Sequence, residues 1–276
     1  MDSIQRRIMI TSLPDISLSE MDFRDTSFFQ SQETPVELPT PAEIMQKYPE
    51  IGDGSGIARF DDINLIVKLG PTDYLRLEEV QTMWAIRQVF PNGEIPVPEV
   101  FGWRTVDDRH FIYMSLIRGS TLLHAWDHFT DADKECLRDQ MKQVVKDLRS
   151  LSQSIDHNHN HWIAAATRQR PRPGGPVQLD HSRDWFSDEG EIYFAHGDLT
   201  ISNIIVSDEP GDPKIVGIID WEQAGWYPEY WEYCKLRYGV PGEHEWKEED
   251  WANAVMRPFE DEYEAFMWYS GCRGCP

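Results

Sequence analysis

The sequence has few cysteines, few basic residues and no long hydrophobic run. Its four cysteines lack a regular framework, which favours a reducing intracellular compartment over a disulfide-linked secreted protein. The basic start, from Met1 to Ile10, is not followed by the apolar stretch of a secretory signal. No window approaches the roughly 20 apolar residues that a membrane helix needs. We therefore expect a cytoplasmic protein without a membrane partner.

Positive charge is scarce, because 26 lysines and arginines face 48 aspartates and glutamates, for a net charge of −22. A nucleic-acid partner would require a basic stripe, so this balance argues against one. The acidity would steer a cationic small molecule toward the protein, although solubility alone also explains it. With 276 residues and 40% apolar side chains, the chain can bury the core of one two-lobed domain or of two small ones.

The most informative stretch is HGDLTISNIIV, from His196 to Val206, which is followed by IVGIIDW, from Ile215 to Trp221. Both apolar runs are β-branched and of strand length, and the residues between them suit a hairpin. An acid, an Asn five residues later and a second acid at a strand end are typical of phosphoryl transfer to a hydroxyl. Asp198 would orient or deprotonate the acceptor. Asn203 and Asp220 would hold Mg²⁺, which prefers oxygen ligands.

These residues resemble the aminoglycoside phosphotransferase and choline kinase-like family, particularly its short fungal branch. The matching text runs from Phe194 to Val206 and from Gly217 to Tyr233, and weaker similarity begins at about Pro39. The resemblance implies an α+β, bilobal protein-kinase-like fold, with a small antiparallel-sheet lobe and a mainly helical lobe. It also implies that His196 supports the catalytic loop by hydrogen bonding and takes no direct part in the chemistry.

The resemblance, together with the positions of predicted turns and helix boundaries, divides the sequence into four parts. These are a polar arm with little periodicity (1–38), a nucleotide-binding lobe (39–114), a hinge (115–119) and a catalytic and acceptor-binding lobe (120–276). In the family, the backbone of the hinge reads adenine. The matching positions are Ser115 for the carbonyl and Ile117 for the amide.

A glycine-rich stretch and a lysine are the candidate phosphate contacts. Gly52, Gly54 and Gly56 would let backbone amides approach a phosphate, although a hairpin turn explains these alternating glycines equally well. Lys68 lies near the end of the next predicted strand, where a lysine can meet the α- and β-phosphates. Alternatively, Lys68 is a solvated lysine at the end of a strand.

The partner of Lys68 in a kinase-like lobe is a glutamate on the following helix. The apolar pattern predicts that helix over Tyr74–Val89. Two acids compete for the role, and by resemblance to the family pattern Glu79 fits better than Glu78.

Three further helices are predicted. Thr40 is a plausible N-cap for a short helix with Pro41 in its first turn. Residues from Thr121 to Ser154 are helical in pattern, with a cap at Thr130. The segment after Asp220 would lead into a helix at Trp226.

A histidine cluster and a cysteine pair near the end of the chain suggest one further site. His157, His159 and His161, together with Cys272 and Cys275, could form a zinc site, but a solvated loop and a frayed tail explain them more simply.

The sequence predicts an ATP-dependent phosphotransferase, with GTP as the alternative nucleotide, that acts on a hydroxyl of a small, amine-bearing molecule. We expect the aromatic and acidic run from Trp221 to Tyr233 to pack the larger lobe. Alternatively, Glu222 or Glu229 lines a pocket for a cationic acceptor. The family match is poor over residues 155–184, where related enzymes vary their acceptor site. Two alternatives stay open: an inactive kinase-like binding protein and a protein kinase. The complete set of site residues argues against the first. The missing Arg before Asp198 and the short segment after Asp220 argue against the second.

Overall fold

The computed structural model describes residues 6–30, 37–153, 190–207, 212–240, 242, 244–248 and 250–273. The strands are β1 (Arg6–Ile8), β2 (Glu20–Asp22), β3 (Gly56–Phe60), β4 (Leu65–Pro71), β5 (Val100–Val106), β6 (Arg109–Ser115), β7 (Ser120–Thr121), β8 (Leu151–Gln153), β9 (Ile192–Ala195), β10 (Ile204–Val206), β11 (Ile215–Ile218) and β12 (Gly225–Pro228). The α-helices are α1 (Ser27–Gln30), α2 (Pro41–Lys47), α3 (Glu78–Val89), α4 (Leu122–Ala125), α5 (Asp131–Arg149), α6 (Trp231–Tyr238), α7 (Glu245–Glu248), α8 (Trp251–Val255) and α9 (Glu260–Arg273). Among the described residues, no helix combines the length and the apolarity that crossing a membrane requires.

The smaller lobe is a five-stranded antiparallel sheet with the order β2-β5-β6-β4-β3. In β4, Leu65, Val67 and Leu69 are buried in an apolar cluster that also contains Ile44 of α2. Because side chains alternate between the faces of a strand, Lys68 points to the opposite face of the sheet. That face carries α3, so the strand pattern itself directs Lys68 toward a helix.

The larger lobe is organised around α5. Thr130 caps this helix through a capping box with Asp133, in which each side chain accepts a hydrogen bond from the other residue's backbone amide. The buried apolar face of α5 consists of Leu137, Met141, Val144, Val145 and Leu148. The predicted cap and the predicted apolar face are both present. The same is true of α2, where Thr40 and Glu43 form a capping box ahead of Pro41.

Two strand pairs of the larger lobe place two connecting segments side by side. Strand β9 pairs with β12, and β10 pairs with β11. Residues 196–203 lead from β9 to β10, and residues 219–224 lead from β11 to β12. We call these the first and the second connection. They hold all the acids that the sequence assigns to catalysis and metal binding.

The N-terminal part of the chain contributes strands to both lobes. Strand β2 is the edge strand of the sheet in the smaller lobe, with Met21 opposite Trp103. Strand β1 pairs in parallel with β8, which follows α5. The sequence-based division left residues 1–38 outside the smaller lobe, because strands of three residues are too short to show an alternating pattern.

The helix predicted at Trp226 is wrong. Trp226 lies in β12, where it is opposite Phe194 of β9, and the helix begins only at Trp231. The two rings meet edge to face, with 5.5 Å between their centroids. Pairing with a strand more than 30 residues earlier in the sequence determines this conformation, and local sequence does not reveal such a partner.

Two predicted helices are shorter in the structure than in the sequence analysis. The helix predicted over Tyr74–Val89 begins at Glu78. The helical stretch predicted for Thr121–Ser154 contains α4 and α5, but it ends at Arg149, because β8 pairs with β1.

The edge strand β2 yields a test of the fold. Asp22 Oδ1 lies 2.6 Å from Arg104 Nη2, and the side chains are only 15% and 18% exposed. Asp22→Ala should lower the free energy of unfolding by about 1–2 kcal/mol, because it removes a charged partner of a largely buried guanidinium group. Asp212→Ala is the matched control, since Asp212 pairs with Lys214 on the surface and should contribute little. Urea unfolding measures both, and equal losses would contradict the expectation.

Candidate active site

Lys68 lies at the centre of a group of three carboxylates, where the smaller lobe meets the second connection. Its Nζ is 2.9 Å from Glu79 Oε2, 2.6 Å from Asp220 Oδ1 and 3.4 Å from Glu222 Oε2. Asp220 has the left-handed backbone conformation, with φ 65°, which is uncommon for a residue with a side chain. We call these four residues the Lys68 cluster. The choice of Glu79 over Glu78 as the lysine's neighbour agrees with this geometry.

Burial and ion pairing oppose each other in the Lys68 cluster. Burial alone would lower the pKa of Lys68, but the carboxylates of Glu79, Asp220 and Glu222 raise it well above its ordinary value. Burial raises the pKa of Glu79 to about 7, and the ammonium of Lys68 opposes that shift. Lys68 therefore carries its charge at physiological pH and can meet a phosphate group.

Asp198 lies in the first connection, and both of its carboxylate oxygens have a neighbour. Asn203 Nδ2 donates to Asp198 Oδ2 at 2.9 Å, and it also donates to the Asp198 carbonyl at 2.9 Å. Lys235 Nζ lies 3.7 Å from Asp198 Oδ1. Since the amide nitrogen of Asn203 is engaged by Asp198, its Oδ1 is the atom that remains for a metal ion.

His196 joins the two connections. Its Nδ1 accepts a hydrogen bond from the Asp198 amide at 3.1 Å, and its Nε2 donates to the Ile219 carbonyl at 3.0 Å. These contacts require a neutral ring with the proton on Nε2. The Ile219 amide in turn donates to the Asn203 carbonyl at 2.9 Å. Asn203 and Asp220 are thereby held on adjoining backbone segments.

The sequence analysis overlooked Glu232 on α6, which supports the first connection from below. Its Oε2 accepts hydrogen bonds from the amides of His196 at 2.6 Å and Gly197 at 3.2 Å. Burial raises the pKa of Glu232, and these two backbone hydrogen bonds oppose the shift. Gly197 has φ +76°, and an added Cβ would lie 2.5 Å from the Gln223 carbonyl oxygen. Only glycine fits there without strain.

Lys235 and Gln223 are two further polar residues that the sequence analysis overlooked. Lys235 lies three residues after Glu232 on α6 and is 2% exposed. Its Nζ donates to Gln223 Oε1 at 3.1 Å. The spacing of Glu232 and Lys235 could have revealed them in the sequence. Two charged residues three positions apart lie on one face of a helix, and this helix is otherwise largely buried.

The glycine-rich stretch lies beside Lys68 in the sheet. Gly56 begins β3, and its neighbour Ile57 is opposite Lys68 of β4. Gly54 lies just before β3, where its carbonyl accepts a hydrogen bond from Arg109 Nη2 at 2.8 Å. Its role as a phosphate contact stays a prediction.

The hinge residues lie between the two lobes. Ser115 ends β6, opposite Leu65 of β4. Ile117 packs against Gly217 of β11, where an added Cβ would lie 2.4 Å from Ile117 Cδ1. The hinge therefore contacts the strand that leads into Asp220. Adenine recognition by the Ser115 carbonyl and the Ile117 amide stays a prediction.

The donor atoms near Asp220 suit a magnesium ion. Oxygen atoms of Glu79, Asp220 and Glu222 lie within 4.8 Å of one another. These three residues form an all-oxygen donor set, which Mg²⁺ prefers and which needs to fill only a few positions beside phosphates and waters, and Asn203 lies on the adjoining first connection. The residues present therefore fit this metal. Glu222, assigned from sequence to the acceptor pocket, belongs to the Lys68 cluster.

The other candidates lie away from this cluster or outside the described residues. Strands β12 and β9 form a pair, and His196 lies at one end of it. Glu229 follows β12 at the other end, where its Oε1 is 3.4 Å from Arg257 Nη2. The candidate zinc ligands His157, His159, His161 and Cys275 lie outside the described residues, as does the side chain of Cys272.

The buried His196 predicts a loss of stability on acidification. Burial lowers its pKa from 6.5 to about 4, so the folded-state value lies below the unfolded one. The corresponding stabilisation is complete above pH 6.5 and is lost as the pH falls toward 4. It amounts to about 3 kcal/mol. His196→Asn should reduce this part of the pH dependence of unfolding measured in urea, whereas the surface variant His128→Asn should retain it. An unchanged slope in His196→Asn would contradict the assignment.

Comparison with known proteins agrees with the observed fold. Among solved structures, the chain is similar to an aminoglycoside phosphotransferase, APH(3'')-Id, from Streptomyces rimosus. The TM-score is 0.51, the identity is 16%, and the match covers 82% of this chain and 95% of that one. It is also similar to an aminoglycoside-3'-phosphotransferase of type VIII, with a TM-score of 0.51, 14% identity and coverage of 84% and 90%. These likenesses show a shared kinase-like fold.

At the level of sequence, no curated protein matches the chain significantly. The sequence pattern of the phosphotransferase enzyme family matches residues 59–265, which is well over half of the chain. The expected short fungal branch stays a prediction. By the extent of this match, the chain belongs to the phosphotransferase enzyme family and is a small-molecule kinase.

Proposed function

We propose that the protein transfers the γ-phosphoryl group of ATP to a hydroxyl of a small, amine-bearing molecule. One observation carries the proposal: the first and the second connection adjoin each other, with Asp198 and Asn203 on one and Asp220 on the other. Lys68 reaches Asp220 from the opposite lobe at 2.6 Å. A base, two metal ligands and a phosphate-binding cation are the parts that phosphoryl transfer to a hydroxyl uses.

Asp198 acts on the acceptor. Its side chain is 25% exposed, so a hydroxyl can reach it, and it orients or accepts the hydroxyl proton. His196 keeps the backbone of Asp198 in place by accepting its amide hydrogen. Because His196 is neutral and donates its own proton to a carbonyl, it supports the loop and leaves proton transfer to Asp198.

Lys68, held by Glu79, binds the α- and β-phosphates of the nucleotide. Asn203 and Asp220 would hold Mg²⁺, with Glu222 close to Asp220, and the ion neutralises phosphate charge when bound. The ion pair between Lys68 and Asp220 holds the two side chains next to each other across the two lobes.

Backbone groups complete the proposed nucleotide site. Gly54 and Gly56 lie in the segment whose amides would approach the phosphates. The Ser115 carbonyl and the Ile117 amide would read the adenine ring. GTP is the second candidate nucleotide.

The charge distribution supports a cationic acceptor. The side chains of Asp198, Asp220 and Glu222 are 25%, 37% and 40% exposed, whereas those of Lys68 and Lys235 are 20% and 3% exposed. At the proposed site the carboxylates are therefore more exposed than the ammonium groups, and the net charge of −22 adds long-range attraction for a cation. The two similar structures are named as enzymes of aminoglycosides, which are amine-bearing alcohols. A cytoplasmic location is part of the proposal, in keeping with the free thiols of Cys136 and Cys234.

Replacing the proposed base tests the chemistry. Asp198→Ala should lower turnover by about 10²–10⁴-fold, because the acceptor hydroxyl loses its base, while the affinity for Mg-ATP stays nearly unchanged. The assay incubates the enzyme with labelled ATP and a panel of amine-bearing alcohols, and mass spectrometry detects products heavier by one phosphoryl group. Asp212→Ala, on the surface, is the control. Wild-type turnover in Asp198→Ala would remove the mechanism.

Replacing the proposed metal ligand should affect binding. Asp220→Ala is expected to abolish the Mg²⁺-dependent part of nucleotide binding, because it removes a carboxylate that would hold the ion. Calorimetry with ATP or GTP, with magnesium or with EDTA, measures this part for each nucleotide. The assignment of Asp220 is overturned if the variant retains the wild-type difference between magnesium and EDTA. Binding without any product in the wild type would favour the inactive binding protein.

A further inference from the structure

Lys235 is a buried lysine that the mechanism above does not use. Its side chain is 3% exposed, and its Nζ lies 3.7 Å from Asp198 Oδ1 and 3.1 Å from Gln223 Oε1. An ammonium group is costly to remove from water unless charges and hydrogen bonds compensate for the lost hydration. Here the compensating groups include the carboxylate that the proposed function assigns as the base.

Helix α6 reaches the first connection with two opposite charges on one face. Glu232 accepts hydrogen bonds from the backbone amides of His196 and Gly197, and Lys235 faces the side chain of Asp198. The helix thus holds the backbone of the loop through one residue and the catalytic side chain through another. A residue with only a packing role would not need a charge at this position.

The Asp198 carboxylate is held from both sides. Asn203 Nδ2 donates to Oδ2 at 2.9 Å, and Lys235 Nζ lies 3.7 Å from Oδ1. A single hydrogen bond leaves a carboxylate free to swing about its Cβ–Cγ bond, whereas neighbours at both oxygens restrict that rotation. Productive geometry in an active site tolerates deviations of only about 0.5 Å and 10–20°.

We propose that Lys235 is a positioning residue, whose ammonium group holds the Asp198 carboxylate in the orientation that receives the acceptor hydroxyl, and that Gln223 holds Lys235 in place. This inference rests on the proposed function and concerns the acceptor side of the same site. Because Lys235 contacts Asp198 and Gln223, we expect that removing its charge slows phosphoryl transfer and leaves nucleotide binding intact.

The test compares Lys235→Met, which retains much of the side chain's volume but no charge, with Lys235→Arg, which retains a cation. In Lys235→Met, kcat should fall by about 10–100-fold while KM and Kd for Mg-ATP stay within about twofold, since misplaced groups cost transfer more than binding. Lys235→Arg should recover most of the loss. Gln223→Leu should lower kcat in the same direction, and it serves as the second variant if Lys235→Met does not fold.

Lys134→Met is the matched control. Lys134 is also a buried lysine, 9% exposed, but its Nζ pairs with Glu245 Oε2 at 2.6 Å, away from the two connections. Its loss should lower the melting temperature without changing kcat. A kcat loss in Lys235→Met that Lys134→Met reproduces would mean that general destabilisation causes it, and would overturn the proposal.

A crystal structure of Lys235→Met decides the same question without an acceptor. The carboxylate of Asp198 should be rotated or divided between orientations, and an unchanged carboxylate overturns the role of Lys235. An unchanged kcat overturns it as well. By contrast, a wild-type protein that binds Mg-ATP and phosphorylates no acceptor would remove the proposed function. The orientation of the Asp198 carboxylate in Lys235→Met would still test the positioning role of Lys235.

Discussion

The site depends on the pair of hydrogen bonds that the neutral imidazole of His196 makes. The ring accepts a hydrogen bond from the Asp198 amide and donates one to the Ile219 carbonyl, and it is completely buried. Each of its nitrogens therefore serves a different connection. A protonated ring could not accept from Asp198, so the spacing between the proposed base and the proposed metal ligands requires an uncharged histidine.

The charges around this histidine are arranged in two layers. Lys68, Lys235 and Glu79 are the less exposed members, whereas the carboxylates of Asp198, Asp220 and Glu222 are partly open to solvent. Each ammonium is compensated by carboxylates and, for Lys235, by an amide oxygen, which reduces the cost of its burial. The same arrangement orients the acids of the proposed site and leaves them within reach of ligands from solution.

Local patterns in the sequence were sufficient to select the proposed site residues and to predict several elements. Asp198, Asn203 and Asp220 follow one another at spacings set by a single hairpin, so a linear motif can find them. The cap at Thr130 also depends only on its nearest neighbours. The neighbour of Lys68 lies on the next helix, where the apolar pattern predicted the helix and resemblance to the family pattern favoured Glu79 over Glu78.

Residues that act through distant contacts escaped the sequence analysis. Glu232 and Lys235 look like ordinary helix residues until α6 packs under the first connection. Strands β2 and β12 are stabilised by partners far along the chain, so their own residues carry little signal. Glu222 was expected near an acceptor, because sequence alone could not show how far Lys68 reaches across from the smaller lobe.

The N-terminal segment has a mechanical consequence. Strand β1 is paired with β8 of the larger lobe, and β2, a dozen residues later, is paired with β5 of the smaller lobe. Arg6 reinforces the first attachment through Asp147, at 2.9 Å. Within the part of the chain that the structure describes, the polypeptide thus passes between the lobes here and again at residues 115–119. A body attached at two points can turn relative to its partner mainly about the line that joins them, so these two attachments would confine any relative movement of the lobes to that axis.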